Sequence, residues 1–90
     1  MQLRKASEID VDKIGDELIL MHLVTRKVVV LNDAGHLVWD ALDLVDTRDE
    51  LHALLQEGAP HLSAADLHQG AESVLAALLD AGILTETEAA

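Results

Sequence analysis

The sequence predicts one α+β domain in which a three-stranded antiparallel sheet is followed by three helices. Three observations predict it. Residues 8–31 alternate apolar with polar or run through β-branched side chains, the apolar spacing changes to 3.6 residues from Asp33 onward, and two capping signatures open new helices at Thr47 and Ser63. The 90-residue chain is 50% hydrophobic with a single aromatic, Trp39, so its one modest core must be aliphatic.

Met1 to Ser7 is polar and is expected to fray, since nothing in it can be tied down by burial. Residues 8–14 alternate with period two, as a half-buried strand does, and Gly15-Asp16 turns the chain. Residues 17–24 are more continuously apolar, as a central strand would be. Thr25-Arg26 closes a second turn, and Lys27-Val28-Val29-Val30-Leu31 makes a third strand that stops at Asn32-Asp33. In the first helix Ala34, Leu37, Val38, Ala41, Leu42 and Val45 fall on one stripe capped by Asn32 or Asp33, with Trp39 off it. Thr47-Arg48-Asp49-Glu50 caps a second helix carrying Leu51, Leu54 and Leu55, which Gly58-Ala59-Pro60 ends. Ser63-Ala64-Ala65-Asp66 opens the longest helix, which carries Leu67, Ala71, Val74, Leu75, Leu78 and Leu79 to Gly82. Ile83-Leu84 packs down, and residues 85–90 form an acidic tail. Residues 8–84 are therefore the expected domain, between a flexible start and that tail.

Charge excludes a class of partner. The formal net charge is −11, and no Lys or Arg occurs from Ser63 to Ala81 on the third helix, so nothing there meets phosphates or guanine edges. A winged-helix DNA-binding regulator, the competing reading for three helices with a small sheet, fails on that ground. No apolar run approaches the roughly 20 residues of a membrane span, and the start lacks a signal-peptide block. No membrane is expected and a cytoplasmic setting is, in keeping with the absence of cysteine.

Chemistry is not visible. No phosphate loop or nucleophile elbow occurs, and serine is found only at Ser7, Ser63 and Ser73. The carboxylates of Asp43, Asp46, Asp49 and Glu50 suit solvated faces and caps. His22, His36, His52, His61 and His68 include no His-x3-His pair and have no Cys beside them, so they are expected on the surface with no metal. No catalytic residue and no cofactor is nominated.

A binding surface is visible. The third strand ends the meander, and its unpaired N–H and C=O groups can template another chain, with Arg26 and Lys27 as edge-guarding charges. Asp66, Gly70, Ser73, Ala77 and Ala81 form a flank of mostly small residues on the third helix. A helical Gly costs about 1 kcal/mol relative to Ala, so Gly70 invites a reason. One reason is packing against the protein's own sheet; the other is a groove for a peptide lying between this helix and the third strand.

Three stretches in order resemble the PqqD-like family, whose fold is also called the RiPP recognition element. Asp16-Glu17-Leu18-Ile19-Leu20 is similar to the family's second strand. Val30-Leu31-Asn32-Asp33-Ala34-Gly35-His36-Leu37-Val38-Trp39-Asp40-Ala41-Leu42 resembles its LN-x-x-(G/A)-x-x-(I/V)-W-x-x-L motif. Thr47-Arg48-Asp49-Glu50-Leu51 and the stretch from Val74 to Leu84 resemble the openings and closings of its later helices. The resemblance spans residues 8–84 and implies a winged-helix-like, non-enzymatic domain. Such a domain binds the leader segment of a ribosomally made precursor peptide and presents it to a modifying enzyme, such as a radical SAM enzyme or a leader peptidase. It further implies that the leader adds as a strand to Lys27, Val28, Val29 and Val30 and lies against Gly70, Ser73, Val74 and Ala77. Self-pairing of the edge strand in a homodimer is the other use of that surface.

Overall fold

Asn32 divides the molecule. In the computed structural model, which describes residues 1–88, most of the sheet precedes it and every helix follows. The elements are β1 (Gln2–Lys5), β2 (Ile9–Ile14), β3 (Glu17–His22), β4 (Val28–Leu31), α1 (Asp33–Ala41), α2 (Arg48–Gly58), α3 (Ala64–Asp80) and β5 (Leu84–Thr87). β2, β3 and β4 form the expected antiparallel meander with β3 at its centre. Gly15, at φ +61, supplies the positive φ that the two-residue turn into β3 needs. The β3–β4 loop is longer. Arg26 N–H donates to the His22 carbonyl at 2.8 Å, with Arg26 itself left-handed at φ 64. The His22 ring nitrogen Nδ1 accepts from the amides of Val24 and Thr25, so this histidine organises the turn.

Each helix starts where a side-chain oxygen takes an otherwise unpaired amide. Asn32 Oδ1 accepts from Gly35 N–H at 2.9 Å, Thr47 Oγ1 from Glu50 N–H at 3.2 Å, and Ser63 Oγ from Asp66 N–H at 3.4 Å. The core is aliphatic as composition requires. Leu18, Leu20 and Leu31 of the sheet meet Val38, Trp39 and Leu42, then Leu51 of α2, Leu75 and Leu78 of α3, and Ile83 and Leu84. Each fully buried Leu contributes about 1.5–3 kcal/mol.

The first helix is turned from its expected orientation. Trp39 is buried at 8% exposure and Leu37 points out at 66%. Gly35 explains the rotation in part: a Cβ there would lie 3.1 Å from Leu31 Cβ, so α1 can sit directly on β4. Seated that way, α1 presents Trp39 to the core, and Leu37 lines an apolar hollow with Leu54, Leu62 and Leu67.

Both ends of the chain also depart from expectation. Residues 2–5, expected to fray, form β1, and residues 85–87, expected to begin the tail, join Leu84 in β5; the two pair antiparallel from Gln2↔Thr87 to Lys5↔Leu84 as a second sheet. Residues 89–90 of the expected tail lie outside the described residues. The ribbon docks by burying Leu3, by Leu3 N–H donating to the Asp46 carbonyl at 2.7 Å, and by Lys5, whose Nζ lies 3.7 Å from the Trp39 ring centroid and 2.8 Å from Asp43 Oδ1.

Arg48 ties this ribbon to the helices. It donates to Glu86 at 2.8 and 3.0 Å and to Glu72 on α3. The hydrogen bond from Arg48, reinforced by its charge, holds Glu86 below its ordinary value of 4.5 and raises Arg48 in turn. Glu86 thus protonates at lower pH folded than unfolded. Its stabilisation is full above about pH 4.5 and is lost as pH falls through the folded value. Glu86→Gln is expected to cost about 1 kcal/mol or less at neutral pH, and the gap should narrow as pH falls below 4.5 through the folded value, as urea denaturation at neutral and acid pH would measure. An equal gap at both would show that the ion pair is not the cause.

Candidate functional site

The free edge of the meander lies beside α3. His22 N–H donates to the Lys27 carbonyl at 2.9 Å, so Lys27, Val29 and Leu31 turn their backbone groups toward β3. By strand alternation the N–H and C=O groups of Val28 and Val30 point to the open side of β4. Side chains alternate across the other axis: Val29 is half-buried and Leu31 buried, while Val28 and Val30 are each 53% exposed.

Between this edge and α3 is a cavity of about 330 Å³, open to solvent and lined by Glu17, Val29, Val30, Leu31, Asn32, Gly35, Ser73, Val74 and Ala77. Five residues nominated from sequence therefore meet at one wall-to-wall space: Val29 and Val30 on the strand, Ser73, Val74 and Ala77 on the helix. Val28 continues the strand beyond it, and Lys27, expected as the first strand residue, lies just before β4. Lys27 Nζ donates to the Asp80 carbonyl at 3.2 Å, a favourable place for a cation at a helix C-terminus, and this bridge fixes the spacing of strand and helix at that end. Gly70 lies one turn before Ser73 and lines no part of the cavity.

The small flank of α3 is mostly open. Asp66, Gly70, Ser73 and Ala77 are exposed and Ala81 is buried. A Cβ on Gly70 would meet nothing within 4 Å, so packing inside the chain does not account for this glycine. Gly70→Ala is accordingly expected to stabilise the protein by about 0.5–1 kcal/mol in urea denaturation. Destabilisation would mean that the backbone there needs a conformation Ala resists.

Sequence reasoning missed Glu17, Leu31, Asn32 and Gly35 as lining residues. Asn32 and Gly35 carried a signal, the helix cap and its amide donor, but it read as local structure. Glu17 is the one ionisable side chain among the lining residues. Chemically the groove offers backbone donors and acceptors, aliphatic walls, one hydroxyl and one carboxylate. Its volume is at the lower end of the range for ligand pockets, enough for one or two guest side chains.

The histidines are not all solvated. His52 on α2 is stacked on His68 at 4.1 Å between ring centroids, and its Nε2 lies 3.0 Å from Glu72 Oε2, with the side chain 19% exposed. His68-x3-Glu72 was the spacing that could have shown this pairing. Among the described residues no helix is long and apolar enough to cross a membrane.

A family model described as "Coenzyme PQQ synthesis protein D (PqqD)" matches residues 17–84. Among solved structures, one titled "TbiB1 in Complex with the TbiA(beta) Leader Peptide" is similar to this chain at a TM-score of 0.74 and 19% identity, over 96% of this chain and 99% of the other. No curated protein matches.

Proposed function

This chain belongs to the PqqD family, and from that premise we propose that it binds the leader segment of a ribosomally synthesised precursor peptide by strand addition and presents it to a modifying enzyme. The observation that carries the reading is the unpaired edge of β4 running beside the cavity against α3. A chain of the same fold is titled as a complex with a leader peptide, which supports it. The domain, residues 8–84 with the terminal ribbon as its brace, is a winged-helix-like adaptor without catalytic residues. The modifying enzyme is of the radical SAM or leader-peptidase kind, and the encounter takes place in the cytoplasm where a ribosomal product first appears.

Magnitudes assign the roles. Val28 and Val30 offer two N–H and two C=O groups, each worth about 0.5–1.5 kcal/mol net once paired, and ordering a flexible peptide offsets much of that sum. Backbone pairing alone would be weak and indiscriminate. An aliphatic anchor buried between Val29, Val74 and Ala77 adds about 1.5–3 kcal/mol, so selectivity lies in the guest side chains that enter the cavity, and Lys27, Gly70 and Ser73 border their path.

An amide NMR titration with leader peptides of candidate precursors tests the reading. Shifts should concentrate on Lys27 to Leu31 and on the Gly70, Ser73 and Ala77 flank. Saturating peptide without shifts there would refute it. The net charge of −11 and Glu17 at the groove favour a leader carrying positive charge, so affinity is expected to fall as salt rises; salt-insensitive binding would remove the electrostatic part. A second reading, pairing of two β4 edges in a homodimer, is favoured by the exposure of Val28 and Val30. Sedimentation over a concentration series separates the two.

A further inference from the structure

We propose that His52, His68 and Glu72 form a binding site for one divalent transition-metal ion of the zinc class, on the side of α3 away from the groove. The donor atoms of these three side chains lie within 4.8 Å of one another. Two come from one helix: His68 and Glu72 are four apart on α3 and share a face, while His52 reaches across from α2.

Three features distinguish this cluster from a chance meeting of polar groups. His52 Nδ1 is buried without a hydrogen-bond partner, so the cluster as it stands leaves a nitrogen lone pair or N–H unsatisfied. The two imidazoles are held 4.1 Å apart between ring centroids, so a turn of the His68 ring out of the stack lets both nitrogens face one ion. Glu72 is already oriented: its other oxygen takes the Arg48 guanidinium, which Glu86 holds from the far side. That is the outer arrangement that fixes a ligating carboxylate, and Glu86 offsets the charge Arg48 brings.

The donor set selects the ion. Two imidazoles and a carboxylate suit Zn²⁺, Co²⁺ or Ni²⁺, whereas Mg²⁺ and Ca²⁺ want oxygen cages. Zinc–nitrogen bonds of about 2.0–2.1 Å require the three donors to close in somewhat, which the exposed His68 can do by a rotamer change. Three protein ligands leave a fourth position for water or a guest group. On a helical wheel His68 and Glu72 lie opposite Gly70, Ser73 and Ala77, so the metal would clamp α2 to α3 without entering the groove.

The test is titration of the full chain with Zn²⁺ by calorimetry, with Co²⁺ as a visible probe. One ion per chain is expected, with the absorption of a four-coordinate Co²⁺ centre and a rise in Tm on adding Zn²⁺. His68→Ala and Glu72→Gln should each weaken binding at least tenfold, while His61→Ala leaves it unchanged. His68 is exposed, so its variant keeps the fold even if a His52 variant does not. No stoichiometric binding, or binding indifferent to His68→Ala, overturns the proposal. Peptide titration of the same variants reads the groove separately, so either reading can fail alone.

Discussion

The double variant Val28→Pro/Val30→Pro is expected to lose about two orders of magnitude in leader-peptide affinity while remaining folded. Proline at these positions removes the two N–H groups that face the open side of β4, and each lost hydrogen bond weakens binding by up to about tenfold. The β3–β4 ladder is spared, because Lys27, Val29 and Leu31 carry its backbone bonds. Edge strands tolerate proline where the N–H faces solvent. The opposite edge supplies a matched control. Leu23 N–H donates to the Glu8 carbonyl, which sets the alternation so that Val11 and Lys13 face outward on β2. Val11→Pro/Lys13→Pro should cost similar stability and leave affinity untouched. Isothermal titration, with circular dichroism for the fold, decides; equal losses in both double variants would show that the peptide does not add to β4.

Trp39→Ala is expected to cost about 3–5 kcal/mol, a large part of the stability of a domain this size, for which about 5–13 kcal/mol is typical. Trp39 is the sole aromatic side chain, and its loss opens a large hole at the junction of α1 with the sheet. It also takes away the ring beneath Lys5, so β1 loses part of its footing. Trp39→Phe should recover most of the difference, since it keeps apolar volume and a ring face for Lys5. Urea denaturation followed by far-UV circular dichroism is the measurement, because the Ala variant has no indole to follow. A cost under 1 kcal/mol would mean the ring is not a core member.

What could be read from the sequence was whatever depended on neighbours along the chain. Thr47-x-x-Glu50 and Ser63-x-x-Asp66 placed helix starts to the residue because a cap is a local hydrogen bond. The run from Lys27 to Leu31 and the small flank of α3 were legible as surfaces, and the cavity lies between them. What escaped depended on partners far away. Leu3 is one apolar residue in a polar stretch, and only its distant pairing with residues near the other end makes it a strand residue. Trp39 falls off the expected helical stripe because that stripe takes in Ala34 and Leu37, both of which are exposed. The approach of Gly35 to Leu31, a tertiary contact, decides which side of α1 faces in. His52 met His68 and Glu72 through helix packing, which spacing along one helix shows only in part.

The terminal ribbon has a kinetic consequence. Its contacts join the most distant parts of the described chain, so none can form until everything from Lys5 to Leu84 has been drawn into one closed loop, at an entropic cost that local hairpins and helices do not meet. The meander, the three helices and the wall-to-wall space between β4 and α3 all lie inside that loop. The ribbon is thus expected to zip last, with its amides slower to gain protection in pulse-labelling than those of β3. Both walls of the groove, β4 and α3, are closer together along the chain than the two strands of the ribbon, so their meeting does not wait on the longest loop.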